Sequence, residues 1–191
     1  QIDQYTDIML DELNRINSIV NEFMNLAKPQ PISFKRNNAI SLIDSLLHVV
    51  RSQANMCNVE VETEFNLSPL WIQGDESQLK QVFLNIMKNA IEAMPNGGRL
   101  TVSARQDKDC AVIVFTDNGI GIKKENIPKI GEPFFTTKEK GTGLGIMVSY
   151  NIIKAHNGQL HIDSEEGKGT SVSIKLPLKN IPPKLNEPQG S

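Results

Sequence analysis

The chain is poor in several features that would each point to a function. Among 191 residues it has only two cysteines, Cys57 and Cys110, without CxxC spacing or other metal ligands beside them. Cys110 opens the apolar run CAVIVF and therefore reads as a reduced core thiol. Twenty basic residues against 22 acidic ones leave a net charge of −2. That balance excludes the basic footprint of a nucleic-acid binder and the polybasic patch of a membrane-surface protein. No apolar run approaches the roughly 20 residues that span a bilayer, and no leader pattern is present, so the expected compartment is the cytoplasm. Nothing repeats internally. What is present, 39% apolar residues, is enough for one substantial core with a helical appendage.

That appendage is residues 1–28. Tyr5, Ile8, Met9, Leu13, Ile16, Ile19, Val20, Phe23, Met24 and Leu26 recur at steps of three and four, and Pro29 ends the pattern. The stripe is wide for a lone helix and reads as one member of a bundle. Pro29 and Pro31 form a linker. Beyond it ISFKRNN reads as a short strand, and 39–54 as a helix with Ile40, Ile43, Leu46, Leu47 and Val50 inward. VEVETEFN (59–66) alternates as a half-buried strand does, and LWIQGD breaks at Gly74. Asp75 and Gln78 have capping-box spacing, which starts a helix over 76–94 that Asn96-Gly97-Gly98 closes. Strands follow at 99–106 and 110–117, a helix at 144–155, and strands at QLHIDSE and GTSVSIKLPL. The proline-bearing tail, 179–191, reads as disordered. The fold class is α+β: a two-layer α/β sandwich, a mixed sheet with helices on one face.

Four motifs in fixed order carry the chemistry: NIMKNAIEA (85–93), DNGIGI (117–122), EPFFTTKEKGTGLG (132–145) and EGKGTSVSIKLP (166–177). On the helix, Asn85, Asn89 and Glu92 share one face, and an amide oxygen there can ligate a hard cation without adding charge. Lys88 beside them is a candidate phosphate contact. Asp117 ends an apolar strand, where a carboxylate can accept from adenine's exocyclic amine, a donor that guanine lacks. Gly119 and Gly121 would let backbone approach a flat base. Gly141, Gly143 and Gly145, with Thr142 and Leu144 between them, free backbone amides at a helix start to face phosphate. This is neither a Rossmann nor a Walker pattern. The polar stretch between these loops reads as a mobile lid, pinned by Phe134 and Phe135 to the domain or to a partner helix, with Lys138 and Lys140 placed to close on a γ-phosphate.

Together the four motifs resemble the catalytic domain of sensor histidine kinases of the sporulation and nitrogen-regulation type. These belong to the wider Bergerat-type ATP-binding fold shared with gyrase B, MutL and the large heat-shock chaperone. The resemblance implies ATP and Mg2+ as cofactors, with Asn89 as the metal ligand assisted by Asn85. It gives the adenine contact to Asp117, supported by Thr170, and places Ile122 with Gly119 and Gly121 at the nucleotide. Residues 1–28 resemble the second helix of the dimerisation hairpin, 29–178 the catalytic domain. By the same resemblance the protein is expected to transfer the ATP γ-phosphate to a histidine for relay to a response-regulator aspartate. Its expected partners are a second subunit through the hairpin, that regulator, and a protein inhibitor or regulator at the helical domain, but no nucleic acid. The full-length sensor is free to be membrane-anchored.

Two residue choices sharpen this. ATP-hydrolysing relatives carry a glutamate one turn before the metal-binding asparagine; here that place holds Asn85, an amide unable to act as a general base. That argues against a switch ATPase, and the 1–28 helix argues against the short serine-directed kinases. Intact motifs argue against a non-catalytic docking module. The acceptor box itself is missing. His48, His156 and His161 precede Val49, Asn157 and Ile162, and none is followed by the acidic residue of an acceptor motif. The chain therefore reads as beginning after the acceptor helix, and it is not expected to autophosphorylate alone.

Overall fold

The computed structural model describes residues 32–66, 69–138 and 141–178, together with Thr6, Met9, Leu10, Glu12, Leu13, Ile16 and Val20. The boundary expected at 28–29, the tail 179–191 and Lys140 lie outside the described residues. The seven described residues between Thr6 and Val20 are helical, as the stripe requires. Met9, Leu13, Ile16 and Val20 are 50–68% exposed, so the domain does not cover this part of the stripe.

Strand β1 (Lys35–Asn38) pairs antiparallel with β3 (Trp71–Gly74) in a separate two-stranded sheet. The sequence shows LWIQGD only as a break, yet four of its residues form this second strand. Helix α1 (Ala39–Met56) starts on Asn38, whose side chain accepts from the Ile40 and Leu70 amides. Strand β2 (Val59–Phe65) follows, and helix α2 (Glu76–Glu92) begins after β3. Asp75 caps α2 by accepting from the Ser77 and Gln78 amides at 3.0 and 3.2 Å, worth about 1 kcal/mol.

Strands β4 (Gly98–Asp107), β5 (Cys110–Asp117), β6 (Gln159–Glu165) and β7 (Gly169–Pro177) complete a five-stranded sheet ordered β2-β4-β5-β7-β6. Only β2 and β4 run parallel, because α2 and β3 lie between them and supply the crossover. Inward positions alternate along the strands: Leu100, Val102 and Ala104; Ile113 and Phe115; Val172, Ile174 and Leu176. They meet Ile43, Leu47, Leu79, Phe83, Ile86 and Met87 from α1 and α2, with the Phe83 and Phe115 rings 5.9 Å apart. This is the α/β sandwich expected. Both cysteines are free, but Cys110 is half-buried at its strand start rather than in the core.

Helix α3 (Gly145–Ala155) ends on His156, which is 1% exposed. Its Nδ1 lies 2.8 Å from the Ile152 carbonyl, its Nε2 accepts from the Asp75 amide at 2.9 Å, and Phe34 packs on the ring. The imidazole thus ties the end of α3 to the start of α2. Accepting at Nε2 requires the neutral ring, and burial lowers its pKa below the ordinary 6.5, against the opposing Ile152 bond and the Asp75 charge. A lowered folded pKa gives stability that is present above the unfolded value and lost as pH falls through the folded one. Urea midpoints should therefore fall between pH 7.5 and pH 5, and a His156→Leu variant should lack that slope. Equal slopes in the two proteins would remove His156 as the cause.

Candidate nucleotide site

The site is built where α2, the loop after β5 and the start of α3 come together. Asp117 ends β5 and is 6% exposed, although it carries a carboxylate. Two backbone amides, from Gly119 at 2.9 Å and Thr170 at 3.2 Å, both donate to its Oδ1. Among the described residues no hydrogen bond reaches Oδ2. Burial raises the Asp117 pKa; the Gly119 and Thr170 amides and then the Lys138 charge pull it back. Asp117, Ile122 and Thr170 also border a cleft of about 850 Å3, but Thr116, Asp163 and Ser171 in its wall lie on the helix-free face of the sheet, so this opening is not the space between Asp117, α2 and α3.

The loop that follows is stitched in place at both ends. Ile120 donates to the Ala93 carbonyl at the end of α2, and Gly167 in the β6–β7 turn donates back to the Ile120 carbonyl, at 2.9 and 2.8 Å. A Cβ on Gly119 would overlap the Ala93 carbonyl, and one on Gly121, at φ 65°, would overlap the Glu165 carbonyl. Loop packing therefore requires both glycines, whatever else approaches them. Thr170 donates through its backbone, while its hydroxyl lies 2.9 Å from that of Ser164, which also donates to the Gly169 carbonyl. The sequence carries no sign of Ser164; only strand pairing places it there.

On α2 the apolar face is buried, and Asn85, Asn89 and Glu92 share the other. Asn85 Nδ2 donates to the Gly145 carbonyl at 3.4 Å, joining this face to the first residue of α3. Asn89 Oδ1 receives Lys138 Nζ at 2.9 Å, and Glu92 Oε2 receives it at 2.6 Å. Lys88 is exposed on the flank and hydrogen-bonds none of these among the described residues. Helix α3 starts without a side-chain cap from its N-cap residue, Leu144. Thr142 Oγ1 accepts from the Leu144 amide at 3.3 Å, and Gly143, at φ 70°, packs on the Phe134 backbone. None of these groups lines the cleft; they stand together where α2 meets the start of α3.

The lid is a chain of turns with one 3-10 helix, Ile127–Lys129. Of the two phenylalanines expected to pin it, Phe135 is half-buried with Lys129 over its ring, whereas Phe134 is 61% exposed at φ 65°. Phe134 is therefore no anchor to this domain.

The family of Histidine kinase-, DNA gyrase B-, and HSP90-like ATPases matches residues 74–180. Sporulation kinase E of Bacillus subtilis is 43% identical over 178 residues, covering 92% of this chain and 24% of that protein. The chain thus spans about a quarter of that relative's length. The catalytic domain of the histidine kinase ThkA superposes with TM-score 0.70 at 28% identity, covering 76% of this chain and 95% of that one. ThkA in complex with the response regulator TrrA gives TM-score 0.81 at 25% identity over 94% of this chain and 52% of that one. The four motifs, the sandwich and the site geometry lead to one family: this chain is a member of the Histidine kinase-, DNA gyrase B-, and HSP90-like ATPases.

Proposed function

We propose that the chain is the ATP-binding catalytic part of a two-component sensor histidine kinase, delivering the γ-phosphate to a histidine on another helix. The observation that carries the adenine half is Asp117, buried, with both of its amide donors on one oxygen and no donor on the other among the described residues. Asn85, Asn89, Lys138 and the 141–145 amides are assigned to the phosphates, with Ile122 against the base. Lys88 and Lys140 flank them.

Asn89 suits Mg2+. Among the described residues no three acidic, cysteine or histidine side chains stand together as a metal cage, so a cation here must be held mainly by phosphates and water. The Lys138 ammonium donates to the Asn89 amide oxygen at 2.9 Å, which supports this atom as an acceptor of positive charge. When bound, the ion would neutralise phosphate charge as it builds during transfer. Asn85, where a hydrolytic relative carries its base, is an amide tied to Gly145 and cannot activate water, so the site orients ATP without a hydrolytic base at that position. That favours transfer over a switch ATPase.

The uncovered stripe of Met9, Leu13, Ile16 and Val20 supports a hairpin bundle formed by two subunits in the cytoplasm, with a response regulator as the further partner. That regulator is proposed from ThkA, which is seen with TrrA. Mixing the chain with a separate helical hairpin bearing an acceptor histidine should give acid-labile, base-stable phosphorylation of that histidine. In the same solutions, sedimentation should show concentration-dependent association. ATP consumed with no phosphohistidine formed would favour the ATPase reading instead.

A further inference from the structure

Glu92 has no place in the assignment above, yet it stands on the face of α2 that would meet phosphates. A bare carboxylate there repels a polyanion, so its presence needs a reason. In the structure it is not bare: Lys138 Nζ lies 2.6 Å from Glu92 Oε2 and 2.9 Å from Asn89 Oδ1. A carboxylate and an amide oxygen one helical turn apart are the donor pair a hard divalent cation prefers, and an ammonium, which only donates, occupies it. The lysine's backbone is fixed for this reach. Thr136 Oγ1 accepts its amide at 3.1 Å, the Gly141 amide donates to its carbonyl at 3.2 Å, and a side chain on Gly141 would collide with Thr136. The pair is also easily broken, since the Lys138 and Glu92 side chains are 37% and 48% exposed.

We propose that Glu92 is a positioning residue which, together with Asn89, holds the Lys138 ammonium in the place of the divalent cation until nucleotide arrives. Loading metal-nucleotide then exchanges one cation for another: the ion takes the Asn89 oxygen, and Lys138 is released toward the phosphates. Glu92 keeps the lid lysine on α2 in the empty site and makes the phosphate face unwelcoming to ATP that arrives without metal. This rests on the nucleotide reading given above.

The test uses the full chain and its Glu92→Gln and Glu92→Asp variants. Acetylation of lysines by acetic anhydride without nucleotide, read by mass spectrometry at Lys138, should speed up about fivefold in Glu92→Gln. It should return toward the parent rate in Glu92→Asp. By calorimetry, Glu92→Gln should bind metal-free ATP about fivefold more tightly, with little change in the presence of Mg2+, so its metal requirement shrinks. A Lys138 rate unchanged by Glu92→Gln overturns the bridge, and an unchanged metal requirement overturns the exchange. The acetylation arm needs no nucleotide, so it decides the bridge even where ATP fails to bind; such a failure counts against the nucleotide reading instead.

Discussion

Asp117→Asn is expected to weaken ATP binding by about tenfold to a hundredfold, the range of one charge-assisted hydrogen bond, while leaving the fold at least as stable. Both backbone amides donate to Oδ1, so asparagine keeps them by presenting its own oxygen there. Its NH2 then replaces Oδ2, and a donor faces adenine's amine. Stability moves the other way. Burial raises the Asp117 pKa above 3.8, and a raised folded pKa contributes stability that is present below the unfolded value and lost as pH rises through the folded one. At neutral pH the ionised carboxylate is thus held at a cost, which the neutral amide removes. Calorimetry with ATP and GTP, beside thermal melts, reads both effects. Equal affinity of the parent chain for ATP and GTP, or unchanged ATP affinity in the variant, would sink the adenine assignment.

Gly121→Ala should be among the most damaging single-methyl additions, lowering stability by about 3 kcal/mol or more and Tm by about 6–12 °C. Gly121 sits at φ 65° with the Glu165 carbonyl where a Cβ would go, and Glu166 just behind it. The Ile120 carbonyl beside it accepts from Gly167, so displacing this loop also loosens the β6–β7 turn. Gly167→Ala is the natural control. That residue has φ 78° with nothing within 4 Å of a Cβ, so only backbone strain of about 1 kcal/mol applies. Calorimetric melts of both variants decide it. Similar losses would show that the loop yields to the Glu165 contact and that strain alone matters.

Much of the local structure was legible from residue pattern. Period-two alternation marked VEVETEF, a short apolar run marked CAVIVFTD, and the Asp75 cap and the Asn157-Gly158 stop marked helix ends. The common face of Asn85, Asn89 and Glu92 follows from helical geometry alone. Asp117 was found because a strand-ending carboxylate before Asn-Gly is a local signal. The strand Trp71–Gly74 was missed because its pairing partner, Lys35–Asn38, lies far back in the chain. Phe134 does not pin the lid to its own domain, because apolar character says nothing about which way a turn residue faces; of the two anchors expected for it, a partner helix is the one its exposure leaves.

By itself, then, the sequence determined every described α-helix and strand but Trp71–Gly74, the family to which its motifs belong, and the residue types of the site, because each is written in short local spacings. Tertiary structure alone decided that both amides converge on a single Asp117 oxygen, and that Gly119 and Gly121 are held by Ala93 and Glu165. It alone gave His156 to Asp75, Ser164 to Thr170, and Lys138 to Asn89 and Glu92. These partners stand 6 to 81 residues apart along the chain. Their meeting depends on how sheet order and helix packing fold distant segments together, which no local periodicity records.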